Sequence, residues 1–216
     1  MNRRTLPIAT ALTTAAFLLL TACGSDDEPG ANDKIAGVDS GGPKSASPSA
    51  LPENDVKRPD IQLPGDIKDS FEDWKSSDPT KDAVLTDAAE AMTATNYAIT
   101  QGDPDEPALA FYHRGNALVG AADWVKTFVD AGLTYTGTVR YYDPELQMFD
   151  SKSGGLVFCA DESQAFSKNR KTGKINKTPV TKTSYVLYST RLEKNADGIW
   201  QTTELKSKKG QEKCTP

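Results

Sequence analysis

The chain is poor in the groups that most enzymes rely on. A single histidine, His113, stands among 216 residues, and the three cysteines lie far apart at 23, 159 and 214. No second ligand sits at zinc-like spacing from Cys159 or Cys214, so no metal site is expected. No Gly-x-Ser-x-Gly elbow and no phosphate-cradling glycine loop occurs, and no cofactor is expected. A mean hydropathy of −0.53 excludes a polytopic membrane protein. The formal net charge is −5, which lacks the basic surplus that nucleic-acid phosphates demand.

What is present begins with an address. Arg3 and Arg4 form a basic start, followed by a threonine-interrupted apolar stretch over 6–20 that ends in Leu20-Thr21-Ala22-Cys23. That stretch is short for a bilayer span and reads as the apolar region of a secretory signal. Small residues before a cysteine resemble the bacterial lipobox, in which the thiol is acylated and the peptide is cut before it. Residues 1–22 are therefore read as a lipoprotein signal peptide and Cys23 as the lipidated residue, with a plain signal peptide as the alternative. The expected location is the outer face of the cytoplasmic membrane. The adjacent arginines leave the export route open between the general and the twin-arginine pathways.

Residues 24–60 hold five Gly, five Pro and five Ser, no aromatic residue and four large aliphatics. Such a segment cannot bury enough apolar surface to offset the entropy of ordering, so 23–60 is read as a disordered tether. An even pair of cysteines, Cys159 and Cys214, remains in an oxidising compartment, and a disulfide between them is expected. Two reduced, buried thiols are the alternative.

Residues 61–216 read as one α+β domain with helices before strands. Ile67, Phe71 and Trp74 fall at i, i+4 and i+7 and suggest a short amphipathic helix. Asp78-Pro79 is a helix start, and Val84, Ala88, Met92, Thr95 and Ile99 hold one face up to Gly102. A second helical piece follows over 108–114. A third carries Leu118, Ala121, Val125 and Phe128 on one stripe, with Gly132 beyond its end. From Leu133 the period changes to two. Asp143-Pro144-Glu145 is expected to turn this strand, with 146–149 pairing back. A third strand spans 156–161, 163–182 is a polar connection, and 185–192 with 199–205 form a hairpin around Asn195-Ala196-Asp197-Gly198. The expected core joins Val84, Met92, Trp124, Phe128, Tyr185 and Trp200 between the helices and a curved antiparallel sheet.

This order of elements resembles the cone-shaped nuclear transport factor 2-like fold. Ala122-Asp123-Trp124, the run from Leu133 to Thr138, and Phe158-Cys159-Ala160-Asp161-Glu162-Ser163 are similar to stretches of small exported actinomycete lipoproteins that carry such a domain. Lys171-Thr172-Gly173-Lys174 and Gly198-Ile199-Trp200-Gln201 extend the likeness. These motifs are structural, and the resemblance implies no one activity: relatives on this fold are isomerases, dehydratases, ligand binders or accessory domains.

Enzymes on such a fold usually place a carboxylate base or an Asp/His pair in the pocket, facing a tyrosine or a protonated acid, and the residues available are His113, Tyr112, Asp123, Asp161 and Tyr185. Each also has a structural reading, and none is assigned a catalytic role. Charge gives the better hint. Residues 163–192 contain no Asp or Glu but seven Lys and Arg, and Lys168, Arg170, Lys171, Lys174 and Lys177 are candidate anion-binding groups. A solvated loop is the alternative. Overall, 163–216 carries 12 bases to 4 acids and 74–162 carries 6 to 14, so the net −5 averages unlike blocks. The expectation is a lipid-anchored binding or interaction module of the envelope, without a cofactor. Its partners would be the membrane, through the lipid, and an anionic lipid, an anionic wall polymer or an envelope protein, with no nucleic acid. The alternatives are a small isomerase- or dehydratase-type enzyme and an accessory domain acting through a protein partner.

Overall fold

The computed structural model describes residues 56–216. The expected signal segment, Cys23 and the tether up to residue 55 lie outside the described residues. Elements follow in the order β1 (Ile67–Phe71), α1 (Pro79–Gln101), α2 (Pro107–Tyr112), α3 (Asn116–Asp130), β2 (Leu133–Met148), β3 (Ser153–Asn169), β4 (Ile175–Asn176), β5 (Tyr185–Lys194) and β6 (Trp200–Lys209). The sheet order is β1-β2-β3-β5-β6, with β4 on β3, and the sheet is curved and unclosed. Helices cover one of its faces, which gives the expected α+β class.

Local chemistry sets the bounds of α1. The Asp78 carboxylate accepts from the backbone N–H groups of Thr80 and Lys81 at 2.8 and 3.1 Å, and Pro79 occupies the first turn. At the far end Gly102 takes a left-handed conformation, and its N–H returns to Ala98. The Arg170 guanidinium donates to the carbonyls of Ile99, Thr100 and Leu133, satisfying groups that a helix end leaves orphaned. Val84, Leu85, Ala88, Met92 and Ile99 then face the sheet.

Three expectations about elements are corrected. Residues 67–71 form a strand, not a helix, and it runs parallel to β2, with Ile67 opposite Gly137 and Phe71 opposite Tyr141. Positions 67 and 71 share a face in either structure. The chain leaves the strand at Asp73, whose positive φ of 61° carries Trp74 over the core. At 143–145 there is no turn: β2 continues through a bulge, with Tyr142 opposite Cys159 and Glu145 opposite Val157. Strand β3 extends to Asn169, so 163–169 is ladder and not connection. It carries a bulge of its own, since Arg140 pairs with Asp161 but Thr138 with Gln164. Gly137 permits this crossing, because a Cβ there would lie 1.9 Å from the Gln164 carbonyl oxygen.

The core holds Val84, Met92 and Trp200 as expected, together with Trp74, Tyr141, Leu156 and Phe158. Trp124 is a correction. It is 50% exposed and meets Phe128 edge-on, at 5.2 Å between ring centres. Phe128 and Tyr185 are half-buried.

Polar pins tie distant segments together. Asp87 is 1% exposed, accepts the Trp200 backbone N–H at 2.8 Å and is paired with Arg58, which also reaches the Tyr112 hydroxyl. Val56 and Ile61 pack beside this pair on Ala91, Ala94, Ala108, Tyr112 and Ile199. Residues 56–61, which include the end of the segment expected to be tether, thus lie along the domain. On the other face of the sheet Cys159 is bonded to Cys214, and the Tyr142 hydroxyl donates to the Cys214 carbonyl.

The disulfide closes a separation of 55 residues. Chain entropy assigns such a loop about 4 kcal/mol. The double variant Cys159→Ser/Cys214→Ser should lose stability of that order in urea unfolding, and an unchanged midpoint refutes this.

Candidate functional site

Of the five residues available for catalysis, Asp161 and Tyr185 are neighbours across a ladder, and the set does not gather at one site. His113 is 1% exposed behind α2, with Nδ1 3.2 Å from the Leu109 carbonyl and Nε2 unpartnered. Burial lowers its pKa to about 4, so it is neutral at physiological pH. Asp123 is exposed on α3. Asp161 lies in β3 opposite Arg140, with 3.6 Å between the charged groups, and accepts the Ser163 N–H. Tyr112 belongs to the Arg58–Asp87 pin. Tyr185 opens β5, paired to Asp161 in register. Tyr112, Asp161 and Tyr185 are thus engaged by local partners, while Asp123 is exposed and His113 keeps one ring nitrogen unpartnered.

The proposed anion-binding residues divide into two groups. Lys168 pairs with Asp66 at 2.8 Å, and Arg170 caps α1 as described. Both are engaged inside the fold. Lys171, Lys174 and Lys177 are exposed around the 170–177 turn, where Lys177 lies 5.9 Å from the Phe166 ring centre. The Asn169 side chain accepts from the backbone of Lys171 and Thr172 and from the Thr172 hydroxyl, which shapes the turn.

The structure brings together a polar group that the sequence reading missed. Strand alternation puts Ile67, Asp69 and Phe71 on the helix-facing side of the sheet. The Asn96 amide on α1 donates to both Asp69 oxygens, at 3.1 and 2.9 Å, and lies 3.0 Å from the Tyr141 hydroxyl. Tyr135 is buried in the same region with its hydroxyl unpartnered. Burial raises the Asp69 pKa to about 6, against the opposing bonds from Asn96. Burial, then the Asp69 charge, raises both Tyr135 and Tyr141, so both phenols are un-ionised. Further along the same face, Tyr188 lies 3.4 Å from Glu162, whose pKa is raised by burial while Lys209 at 3.7 Å pulls it down.

A carboxyl that titrates near neutrality beside neutral phenols is able to exchange protons with a bound molecule. Here its surroundings are filled. Phe71 stacks on Tyr141 at 4.8 Å, and Trp74 meets Phe71 and Phe158 edge-on at 5.1 and 5.0 Å. The signal was present in the sequence: a carboxylate between Ile67 and Phe71 stands out once the segment is read with a period of two. Among the described residues, no cluster of three or more His, Cys, Asp or Glu is arranged to hold a metal ion. No helix among them is long and apolar enough to cross a membrane.

No protein-family model and no curated protein matches the chain. Among solved structures it is similar to a ketosteroid isomerase-like protein from Erwinia carotovora atroseptica, at 18% identity and a TM-score of 0.41, over 59% of this chain and 93% of that one. A hexachlorocyclohexane dehydrochlorinase from Novosphingobium barchaimii gives 11% and 0.42, over 62% and 92%. An NTF-2 like protein of unknown function from Shewanella oneidensis gives 16% and 0.36, over 56% and 96%. Likeness at this level transfers no residue role and no activity.

Asp69 carries a pH test. Its native pKa lies above its ordinary value of 3.8, so the native state binds the proton more tightly than the unfolded chain. The resulting penalty is absent below about pH 4 and complete above about pH 6. His113 acts oppositely, removing stability as pH falls from 6.5 towards 4, so the parent's pH curve mixes the two. Asp69→Asn keeps an acceptor for Asn96. It should be more stable than the parent at pH 7 by on the order of 1–2 kcal/mol, allowing for partial exposure, and equal at pH 4. Paired urea unfolding at the two pH values reads the difference, and a loss of stability at pH 7 contradicts it.

Proposed function

We propose that this chain is a lipid-anchored module of the cell envelope that acts through surface contacts. Acylated Cys23 would hold it at the outer face of the cytoplasmic membrane, with the segment to residue 55 as tether. The basic turn at 170–177 would meet anionic groups, carried by lipid headgroups or by wall polymers. The observation behind this reading is that Lys171 and Lys174 in the β3–β4 turn and Lys177 just after β4 are all exposed, within a stretch from 163 to 192 that contains no acid. Charges so placed lend affinity for an anionic surface without a pocket.

The enzyme alternative would rest on Asp69, since His113, Asp123 and Asp161 lie apart. It needs room for a substrate where Phe71, Trp74 and Tyr141 are packed, and the surface reading needs none. An accessory domain acting through a protein partner would also use the surface, but it requires no cluster of one charge.

Two measurements test the proposal. Cys23→Ser should move the protein from the membrane fraction to the soluble exported fraction. Co-sedimentation with phosphatidylglycerol vesicles and, separately, with purified wall polymer distinguishes the two anion sources. Binding to at least one should weaken steeply as salt rises from about 0.01 to 1 M. Replacing Lys171, Lys174 and Lys177 with Ser should cost roughly 3 kcal/mol, about a hundredfold. Binding that survives this replacement refutes the role of the turn.

A further inference from the structure

The face of the sheet turned away from the helices carries a groove that crosses the strands. Its register follows from the ladders: Gln147 lies opposite Gly155, Gly155 opposite Arg191, and Arg191 opposite Glu204. One row over, Glu145, Val157, Ser189 and Lys206 are aligned in the same way. Two depressions lie along these rows, of about 500 and 150 Å3, and they share Thr190 at their boundary. The larger alone is within the range that small-molecule sites occupy. The floor is low because Gly155 and Ser189 are small.

Phe149 forms the wall. It is 53% exposed, yet it is not a loose side chain. A Cβ on residue 155 would lie 2.9 Å from its ring edge, so the ring is seated on the space that Gly155 leaves. The Arg191 guanidinium stands 5.6 Å from the ring centre. The result is a flat apolar plate beside a row of planar hydrogen-bonding groups: the Gln147 amide, the Arg191 guanidinium and the Glu204 carboxylate.

The charges here are paired by sign, unlike those of the 170–177 turn. Arg191 bonds Glu193 at 3.0 Å and faces Glu204 across the ladder, and Glu145 bonds Lys213 at 2.7 Å. Such a surface exerts little net field on a polyanion and instead offers donors and acceptors in alternation. The floor's backbone is taken up in the β2–β3 and β3–β5 ladders, so an extended peptide finds no main-chain partners here. A suitable ligand brings its own donors and acceptors at its edges and an apolar face for the ring. A pyranose sugar has both, with axial C–H groups on its face and hydroxyls around its rim.

We infer that this groove is a binding site for a neutral glycan, with Phe149 as the stacking plate and Gln147, Arg191 and Glu204 as the groups that bond its hydroxyls. The site is separate from the 170–177 turn and does not depend on the lipid anchor.

The test is calorimetric titration of the full chain with a panel of neutral hexose and N-acetylhexosamine hexamers, with polyglutamate as an anionic control. Saturable binding at millimolar or lower concentration is expected for at least one sugar. Phe149→Ala and Gly155→Ala should each weaken it about tenfold, the first by removing the plate and the second by displacing it. Phe149→Tyr should retain binding, and the triple variant Lys171→Ser/Lys174→Ser/Lys177→Ser should leave the affinity for the sugar unchanged. Thermal melting of each variant checks that the fold is intact. Absence of binding across the panel, binding of polyglutamate with Phe149-dependent affinity, or sugar binding indifferent to Phe149→Ala would each overturn the inference.

Discussion

The rest of the domain depends on the pairing of β2 with β3. These are the two longest strands, and each carries an extra residue at a different height, one near Asp143 and the other at 162–163. A bulge bends its own strand and increases local twist. Two of them on opposite strands curl the ladder into a concave side that receives α1 and a convex side that does not. On the concave side the aromatic rings of Tyr141, Phe158 and Trp74 meet; on the convex side the disulfide and the strand-crossing groove lie. Neither surface would exist on a flat sheet.

Polar contacts then fix what burial alone would leave free to slide. Asp87 is a carboxylate inside the core, and such a group persists only when its charge and lone pairs are met. Arg58 and the Trp200 N–H meet them, and in doing so tie α1 to β6 and to the chain before β1. Arg170 does the same at the other end of α1, linking its last carbonyls to the tip of β3. A cation that sequence alone assigns to solvent is here a helix cap. Of the five candidate anion-binding residues, Lys168 and Arg170 are engaged within the fold, and the proposed contact with anions is left to Lys171, Lys174 and Lys177.

How much of this was legible depended on whether the signal was local. The bounds of α1 were readable because a cap needs only neighbours: Asp78, Pro79 and Gly102. The β5–β6 hairpin was readable from its turn, and the disulfide from the cysteine count together with the expected compartment. Strand β1 was not, since Ile67 and Phe71 satisfy both periods and only the parallel partner 137–141 decides between them. The second half of β3 was hidden because its apolar content between 163 and 169 is just Ala165 and Phe166, and its ladder partners include Thr134, Thr136 and Thr138 of β2. Trp124 lies one residue off the buried stripe through Ala121 and Val125, about 100° around the helix, and so faces outward. Of the candidate sites, Asp69 was masked by the helical reading of its segment, and the groove by its origin in four strands.

The Arg58 contact also decides where mechanical load enters the fold. A pull from the N-terminal side reaches Arg58 before it reaches β1, and Arg58 passes it to Asp87 on the first half of α1. Asp87 and the Ile99 carbonyl that Arg170 holds are twelve residues apart, about 18 Å along the helix. Tension is therefore taken up by a helix pinned at two points and braced by the Trp200 backbone. The edge strand β1, held on one side by a short parallel ladder, lies beyond this pin along the chain.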